Sequence, residues 1–210
     1  MTGNNKPWLK SYRLGPYKLA ASLEPYPVEP LYAILDRTAE RFPRATAVDY
    51  CGQRINYALL KEYADRLSSA LYSLGVRSGD RVATILPSSP QYIIANFAIL
   101  KAGAVHIPCS ILHKEKELQY EIGESGAVAV ICLENLLERV RKIEKQTDLK
   151  HFIITSLSDF TPEEQQGTIT GGVYSFRQLL NSHEPVPPEV DLDPLNDLAC
   201  IAFTGGSTGV

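Results

Sequence analysis

The stretch Thr204-Gly205-Gly206-Ser207-Thr208-Gly209 combines three hydroxyls and three glycines in six residues. Glycine admits positive φ and lets main-chain N–H groups approach a ligand without a Cβ in the way. Successive N–H groups in such a bend form an anion-binding concavity, and hydroxyls add donors for phosphate oxygens. The chemistry on offer is the gripping of a nucleotide's phosphates. A plain Gly/Ser turn or linker has the same composition, and from these six residues alone the two readings stand level.

The apolar run Leu198 to Phe203 must position that bend, and it reads as a buried strand. Further upstream, Pro30 suits the first turn of a helix whose Leu31, Ile34, Leu35, Thr38, Ala39 and Phe42 recur at helical spacing before Pro43 ends it. Residues 46–50 and 53–55 flank Cys51-Gly52 as a short hairpin. Asn56 suits the cap of a long helix with its apolar stripe at Leu59, Leu60, Tyr63, Ala64, Leu67, Ala70, Leu71 and Leu74, stopped by Gly75. Apolar strands are then expected over 81–86, 104–107, 127–133 and 151–155, alternating with helices over 88–102, 114–125 and 134–146. This order predicts an α/β fold: a doubly wound, mainly parallel sheet with helices on both faces. Residues 156–172 read as a polar surface excursion, and 175–181 as a short helix. The expected division is an N-terminal arm (1–29), an α/β subdomain (30–182), a Pro-rich connector (183–197), and the first strand and phosphate loop of a following subdomain (198–210).

A hydrophobic content of 44% and a charged content of 21% are ordinary for a globular domain. The net charge of −3 gives no electrostatic reason to expect nucleic acid or an anionic membrane as partner. Cys51, Cys109, Cys132 and Cys200 lie far apart in or beside apolar stretches, which predicts buried, reduced thiols and a cytoplasmic setting rather than disulfides or zinc. The first fifteen residues lack the apolar core of a secretory signal, and no apolar run approaches the length of a membrane span.

Two phosphate loops begin as this one does. A Walker A loop starting at Gly206 requires Gly-Lys-Ser or Gly-Lys-Thr after Val210. The signature loop of AMP-forming adenylating enzymes, [ST]-[SG]-G-[ST]-T-G-x-P-K, is matched by Thr204 to Val210 up to its closing Pro-Lys. Three earlier segments point the same way: residues 30–57 with Ala47-Val-Asp and Ile55-Asn-Tyr, Leu74-Gly-Val-Arg-Ser-Gly-Asp-Arg-Val82, and Leu100-Lys-Ala-Gly-Ala-Val-His-Ile-Pro108. Together they resemble the N-terminal region of the adenylate-forming superfamily of acyl- and aryl-CoA synthetases, luciferases and peptide-synthetase adenylation domains. The Tyr26-Pro-Val-Glu-Pro-Leu-Tyr opening and the text after Pro108 resemble long-chain-fatty-acid–CoA ligases more than amino-acid-activating domains.

The resemblance implies a two-step reaction: a carboxylic acid, here a long-chain fatty acid, is joined to AMP with release of pyrophosphate, and coenzyme A then displaces AMP. It implies ATP, Mg²⁺ and coenzyme A, with Thr204, Ser207 and Thr208 on the ATP phosphates and Gly205, Gly206 and Gly209 supplying the close fit. It names no catalytic residue and no metal ligand within these 210 residues. It leaves open peripheral membrane association and a homodimer. The family's further motifs, beginning with the loop lysine, are absent from these residues, so the chain is expected to be inactive alone; beside a Walker-type NTPase, the alternative is a non-catalytic structural or interaction module. Three bland readings remain beside it. His106, in a strand, reads as a packed histidine, since no nucleophile or metal partner is spaced for it. Glu134, Glu138, Arg141, Lys142 and Lys145 read as an exposed helix side paired at i,i+3 and i,i+4. Trp8 and Tyr12 are expected to dock on the parent domain.

Overall fold

A computed structural model describes residues 24–161 and 172–204, with the backbone of 13–14 and 17–18. The latter form a two-residue antiparallel pair, β1 (Arg13–Leu14) and β2 (Tyr17–Lys18). Helix α1 (Ala33–Arg41) buries Leu35 and Ala39 but leaves Leu31, Ile34 and Phe42 about half exposed. Pro30 lies ahead of it in a turn, and the helix closes at Phe42, one residue before Pro43. Strands β3 (Thr46–Tyr50) and β4 (Gln53–Asn56) form the expected hairpin, its turn carrying positive φ at Cys51 and Gly52. The Asn56 side chain accepts from the Leu59 N–H at 2.8 Å and caps α2 (Tyr57–Ser73).

The sheet follows. It is built from β5 (Arg81–Ile85), β6 (Val105–Pro108), β7 (Ala127–Leu133), β8 (His151–Thr155) and β9 (Val173–Ser175), in the order β6-β5-β7-β8-β9 and parallel throughout. Helices α3 (Pro90–Lys101), α4 (Glu115–Ser125), α5 (Leu137–Lys142) and α6 (Phe176–Ser182) complete the fold. The chain steps from β5 to β6 on one side and then returns to β7 on the other. Crossovers of one hand in opposite directions place their helices on opposite faces, and the strands divide accordingly. Val82, Ala129, Ile131 and Ile153 join the core under α2, α3 and α6. Their neighbours Ala83, Ile85, Val130, Cys132 and Phe152 join a second core under α4 and α5. Strands buried on both faces have no polar side, which is why they read as continuous apolar runs.

Three expectations are corrected. Residues 134–146 do not form one helix: a 3₁₀ turn at Glu134–Leu136 and another at Glu144–Gln146 flank α5. Arg141 still pairs at i,i+3, with Glu144, but Lys142 reaches across to Glu115 on α4 at 3.1 Å in place of a partner along its own side. A fifth strand, β9, falls between the expected excursion (156–172) and the expected helix (175–181) and takes the helix's first residue, Ser175. Of the cysteines, Cys109 and Cys132 are buried, but Cys51 and Cys200 are exposed. The first sits in the hairpin turn and the second on a sheet edge. Among the described residues, no helix is long and apolar enough to cross a membrane.

The turns between elements explain two of the sequence segments. At the end of α2 the Gly75 N–H donates to Tyr72 O and the Val76 N–H to Leu71 O; at the end of α3 the Gly103 N–H donates to Leu100 O and the Ala104 N–H to Ile99 O. Both are paired C-terminal bonds that need a left-handed residue, and Gly75 (φ 98°) and Gly103 (φ 72°) provide it. The two turns are then locked to each other, the Gly79 N–H donating to Gly103 O at 2.9 Å.

Candidate functional site

Ligands of open parallel sheets bind outside the carboxyl ends of the strands. That end of this sheet carries Leu86-Pro87-Ser88-Ser89 after β5, Cys109 to Lys114 after β6, and the terminal segment. The Ser89 hydroxyl accepts from the Tyr92 N–H and caps α3, with Pro90 as its first residue. The terminal segment lies along the outer edge of β6. The His106 N–H donates to Ala199 O and the Ile201 N–H to His106 O, both at 3.0 Å, in a single parallel bridge at Cys200.

This corrects the expected buried strand at 198–203. Among the described residues one bridge replaces a ladder, and burial alternates: Ala199, Ile201 and Phe203 are half-buried, whereas Leu198, Cys200, Ala202 and Thr204 are exposed. The reason is position. Outside the last full strand only one face of the segment meets the core, so Ile201 and Phe203 pack on the α4 side and the alternate residues face out. Phe203 meets Tyr120 of α4 edge-on, with ring centroids 5.7 Å apart. Since the segment runs parallel to β6, Thr204 emerges past Pro108, exposed, at the carboxyl end. Of the six residues proposed for phosphate, only Thr204 is described; Gly205, Gly206, Ser207, Thr208 and Gly209 lie outside the described residues.

His106 is the residue the segment pairs with, and its side chain is 1% exposed. Nδ1 lies 2.9 Å from Asn96 Oδ1 and Nε2 lies 2.8 Å from Thr84 Oγ1. A carbonyl oxygen only accepts, so Nδ1 carries the proton and Nε2 accepts from the Thr84 hydroxyl. Burial disfavours the imidazolium and pushes its pKa down to about 4. The ring is a neutral structural link. His113 meets Glu121 at 3.0 Å, and His183 bonds Ser73 at 3.0 Å. The described residues contain no group of three or more His, Cys, Asp or Glu side chains able to hold a metal ion.

Lys101 of the Leu100-Lys-Ala-Gly-Ala segment faces away from this end. It is 4% exposed and bonds Asp65 of α2 at 2.7 Å and Asp36 of α1, with Lys61 completing the network at 2.6 Å from Asp65. Sequence reading misses this network. Its signal is a lysine and an aspartate each set inside an otherwise apolar helix face. A cavity of about 320 Å³, lined in part by Glu29, Tyr32, Gly103, Asp193 and Leu198, also opens at the amino end of β6, opposite to Thr204. Its Asp193 and Asp197 carboxylates are already engaged by main-chain N–H groups of their own loop.

Comparison with known proteins bears on the whole segment. Residues 35–210 match the model of a family described as AMP-binding enzyme. A long-chain-fatty-acid–CoA ligase of Bacillus subtilis is 28% identical over 98% of this chain, which spans 39% of that relative's length. A solved anthranilate–CoA ligase in complex with anthranoyl-AMP superposes with a TM-score of 0.77 at 21% identity, over 88% of this chain and 34% of its own. A long-chain-fatty-acid–CoA ligase from Archaeoglobus fulgidus superposes with a TM-score of 0.74 at 22% identity, over 90% and 37%. At these identities the two structures show the shared fold.

Proposed function

The chain belongs to the AMP-binding enzyme family, and from that premise we propose that it supplies the first part of a longer enzyme activating a carboxylic acid through acyl-AMP to acyl-CoA. Family membership over residues 35–210 removes the support for a Walker-type reading, which rested on Gly206 alone. One structural observation carries the proposal: a strand-like segment registered on β6 delivers Thr204, solvent-exposed, to the carboxyl end of a doubly wound sheet. In this reading Thr204, Ser207 and Thr208 donate to the β- and γ-phosphates of ATP, while Gly205, Gly206 and Gly209 let main-chain N–H groups close on them. The acid's carboxylate attacks the α-phosphorus and pyrophosphate leaves; the thiol of coenzyme A then attacks the acyl carbonyl and AMP leaves. Both steps build negative charge on oxygen, and positioned donors stabilise it without covalent participation of the chain. Mg²⁺ belongs to this reading as a partner of the phosphates. The described residues offer it no ligand set.

The acid is proposed to be a long-chain fatty acid, on the strength of the relatives' names. The division into an arm (1–29), an α/β subdomain (30–182), a connector (183–197) and the beginning of a second subdomain (198–210) goes with the same reading. ATP–pyrophosphate exchange tests it. The 210-residue chain alone is expected to support no exchange. The longer polypeptide is expected to exchange with a C16 fatty acid and much less with anthranilate. Thr208→Val there should lower kcat/KM for ATP by about a hundredfold or more, the scale of one lost transition-state donor, at unchanged melting temperature. An equal loss of folding, or no loss for ATP, would remove the loop from the mechanism.

A further inference from the structure

We propose that His106 is a positioning residue that sets the register, and so the reach, of the phosphate loop. This deepens the reading of Thr204–Gly209 above and rests on it. Among the described residues, every main-chain hydrogen bond between the terminal segment and the sheet runs through His106: its N–H to Ala199 O and its O from the Ile201 N–H. A strand held at one bridge has weak register of its own. What fixes it must be the bridge residue and the packing on either side.

The bridge residue is held from three directions. β6 pairs with β5, where Val82 stands opposite His106. The ring takes the Thr84 hydroxyl of β5 on Nε2 and gives its Nδ1–H to Asn96 of α3. Tyr92, also on α3, lies against the ring at a centroid distance of 5.7 Å. Strand, neighbouring strand and covering helix therefore meet at the residue that the segment grips. Downstream, Ile201 and Phe203 occupy the packed face, and a slip by one residue would turn both outward. Upstream, the connector is tied to α2, with Arg66 donating to His183 O and Ser69 donating to Val186 O at 2.6 Å. The chain is thus stopped on both sides of a single bridge, and the distance from that bridge to Thr204 is four residues of strand. A shift of β6 at His106 becomes a shift of the first phosphate donor.

The test uses the two partners of the ring rather than the ring itself. Thr84→Val keeps the volume but removes the hydroxyl that Nε2 accepts; Asn96→Ala removes the other partner at a half-buried, more tolerant position. In the 210-residue chain, either change should speed amide exchange at Ile201 about fivefold, the factor that corresponds to one neutral hydrogen bond, with exchange at Ile153 unchanged. In the longer polypeptide the KM for ATP should rise by a similar factor while kcat and the KM for the fatty acid hold, and Thr84→Ser should restore it. A lower melting temperature with both KM values and Ile201 exchange unchanged would leave His106 a packing residue and overturn the proposal. Thr208→Val separates the two levels. If it leaves kcat/KM for ATP unmoved, the phosphate-loop reading fails, whatever the His106 partners do. If it lowers kcat/KM and changes at the His106 partners leave the KM for ATP unmoved, positioning alone fails.

Discussion

The two ends of the parallel sheet are built differently. At the amino ends, β5, β6, β7 and β9 are each approached through a glycine of positive φ: Gly79, Gly103, Gly126 and Gly172. Asp80 Oδ2 accepts from the Arg77 N–H, Arg81 donates to Ser125 O, and the Lys101 network lies beside these turns. At the carboxyl ends, β5 leads into Pro87-Ser88-Ser89, β6 into a loop whose Leu112 is 82% exposed, and the terminal segment into exposed Thr204. One end is closed by conformations that only glycine adopts at low cost; the other ends in hydroxyls and open loops. The motifs that make the family recognisable are divided between them. The Leu74–Val82 and Leu100–Ala104 segments stabilise the amino end, and only the Thr204–Gly209 segment is proposed to meet substrate.

The sharpest way to break this contrast is at Lys101. Lys101→Met leaves Asp36 and Asp65 facing each other with only Lys61, and removing one member of a buried pair costs about 3–5 kcal/mol. Surviving attraction to Lys61 favours the lower figure. A lower urea midpoint should appear, with nucleotide affinity of the folded fraction unchanged. The next effect belongs to pH. His106 has its folded pKa depressed to about 4, below the ordinary 6.5, so between those values the unfolded chain binds the extra proton. Stability is complete above about pH 6.5 and is lost as pH falls toward 4, by on the order of 3 kcal/mol in all. Urea midpoints measured across that window should slope upward with pH, and His106→Gln should flatten the slope. Smaller again is Gly103→Ala, where φ is 72° and a Cβ would stand 3.0 Å from Ser78 Oγ and 3.2 Å from Val190 Cγ1. The left-handed backbone costs about 1–2 kcal/mol, and the contacts add to it. Gly52→Ala, with φ 82° and open space around it, should cost the backbone part alone.

How much of this was legible beforehand depends on whether a residue's role is local. Asn56, Gly75, Ser89 and Gly103 act within a few residues of themselves, so caps and stops are readable from spacing. Strands β5, β6, β7 and β8 are readable because burial on both faces leaves them mainly apolar. β9 is not, because a three-residue edge strand, Val173–Ser175, carries too little pattern to separate it from a loop. The broken helix at 134–146 escapes for a related reason: Leu136, Leu137, Val140 and Ile143 keep a helical spacing from the first 3₁₀ turn through α5. For the candidate site, the glycine- and hydroxyl-rich composition of Thr204–Gly209, on which phosphate binding is proposed, is plain in the sequence. The role of His106 is not, because Thr84, Asn96 and Ala199 come from three other elements and no spacing along the chain announces their meeting.

The smallest perturbation reads the packed core against the sheet edge by thiol chemistry. Burial, reinforced by the charge and hydrogen bond of Glu121, raises the Cys109 thiol far above its ordinary range, and burial pushes Cys132 up to about 12. Neither presents thiolate or access to a reagent near neutral pH. Cys51 in the hairpin turn and Cys200 on the terminal segment are exposed, though burial still raises Cys200. Iodoacetamide at pH 8 should therefore label Cys51 first and Cys200 more slowly, with Cys109 and Cys132 reacting only after unfolding. The Cys200 rate then reports the bridge directly, because Cys200 sits between the two residues that bond His106. Thr84→Val should bring it toward the Cys51 rate without exposing Cys109. Four thiols reacting alike in the native protein would mean that the core under α4 and α5 opens as readily as the edge, and the contrast between a packed interior and an open edge would be gone.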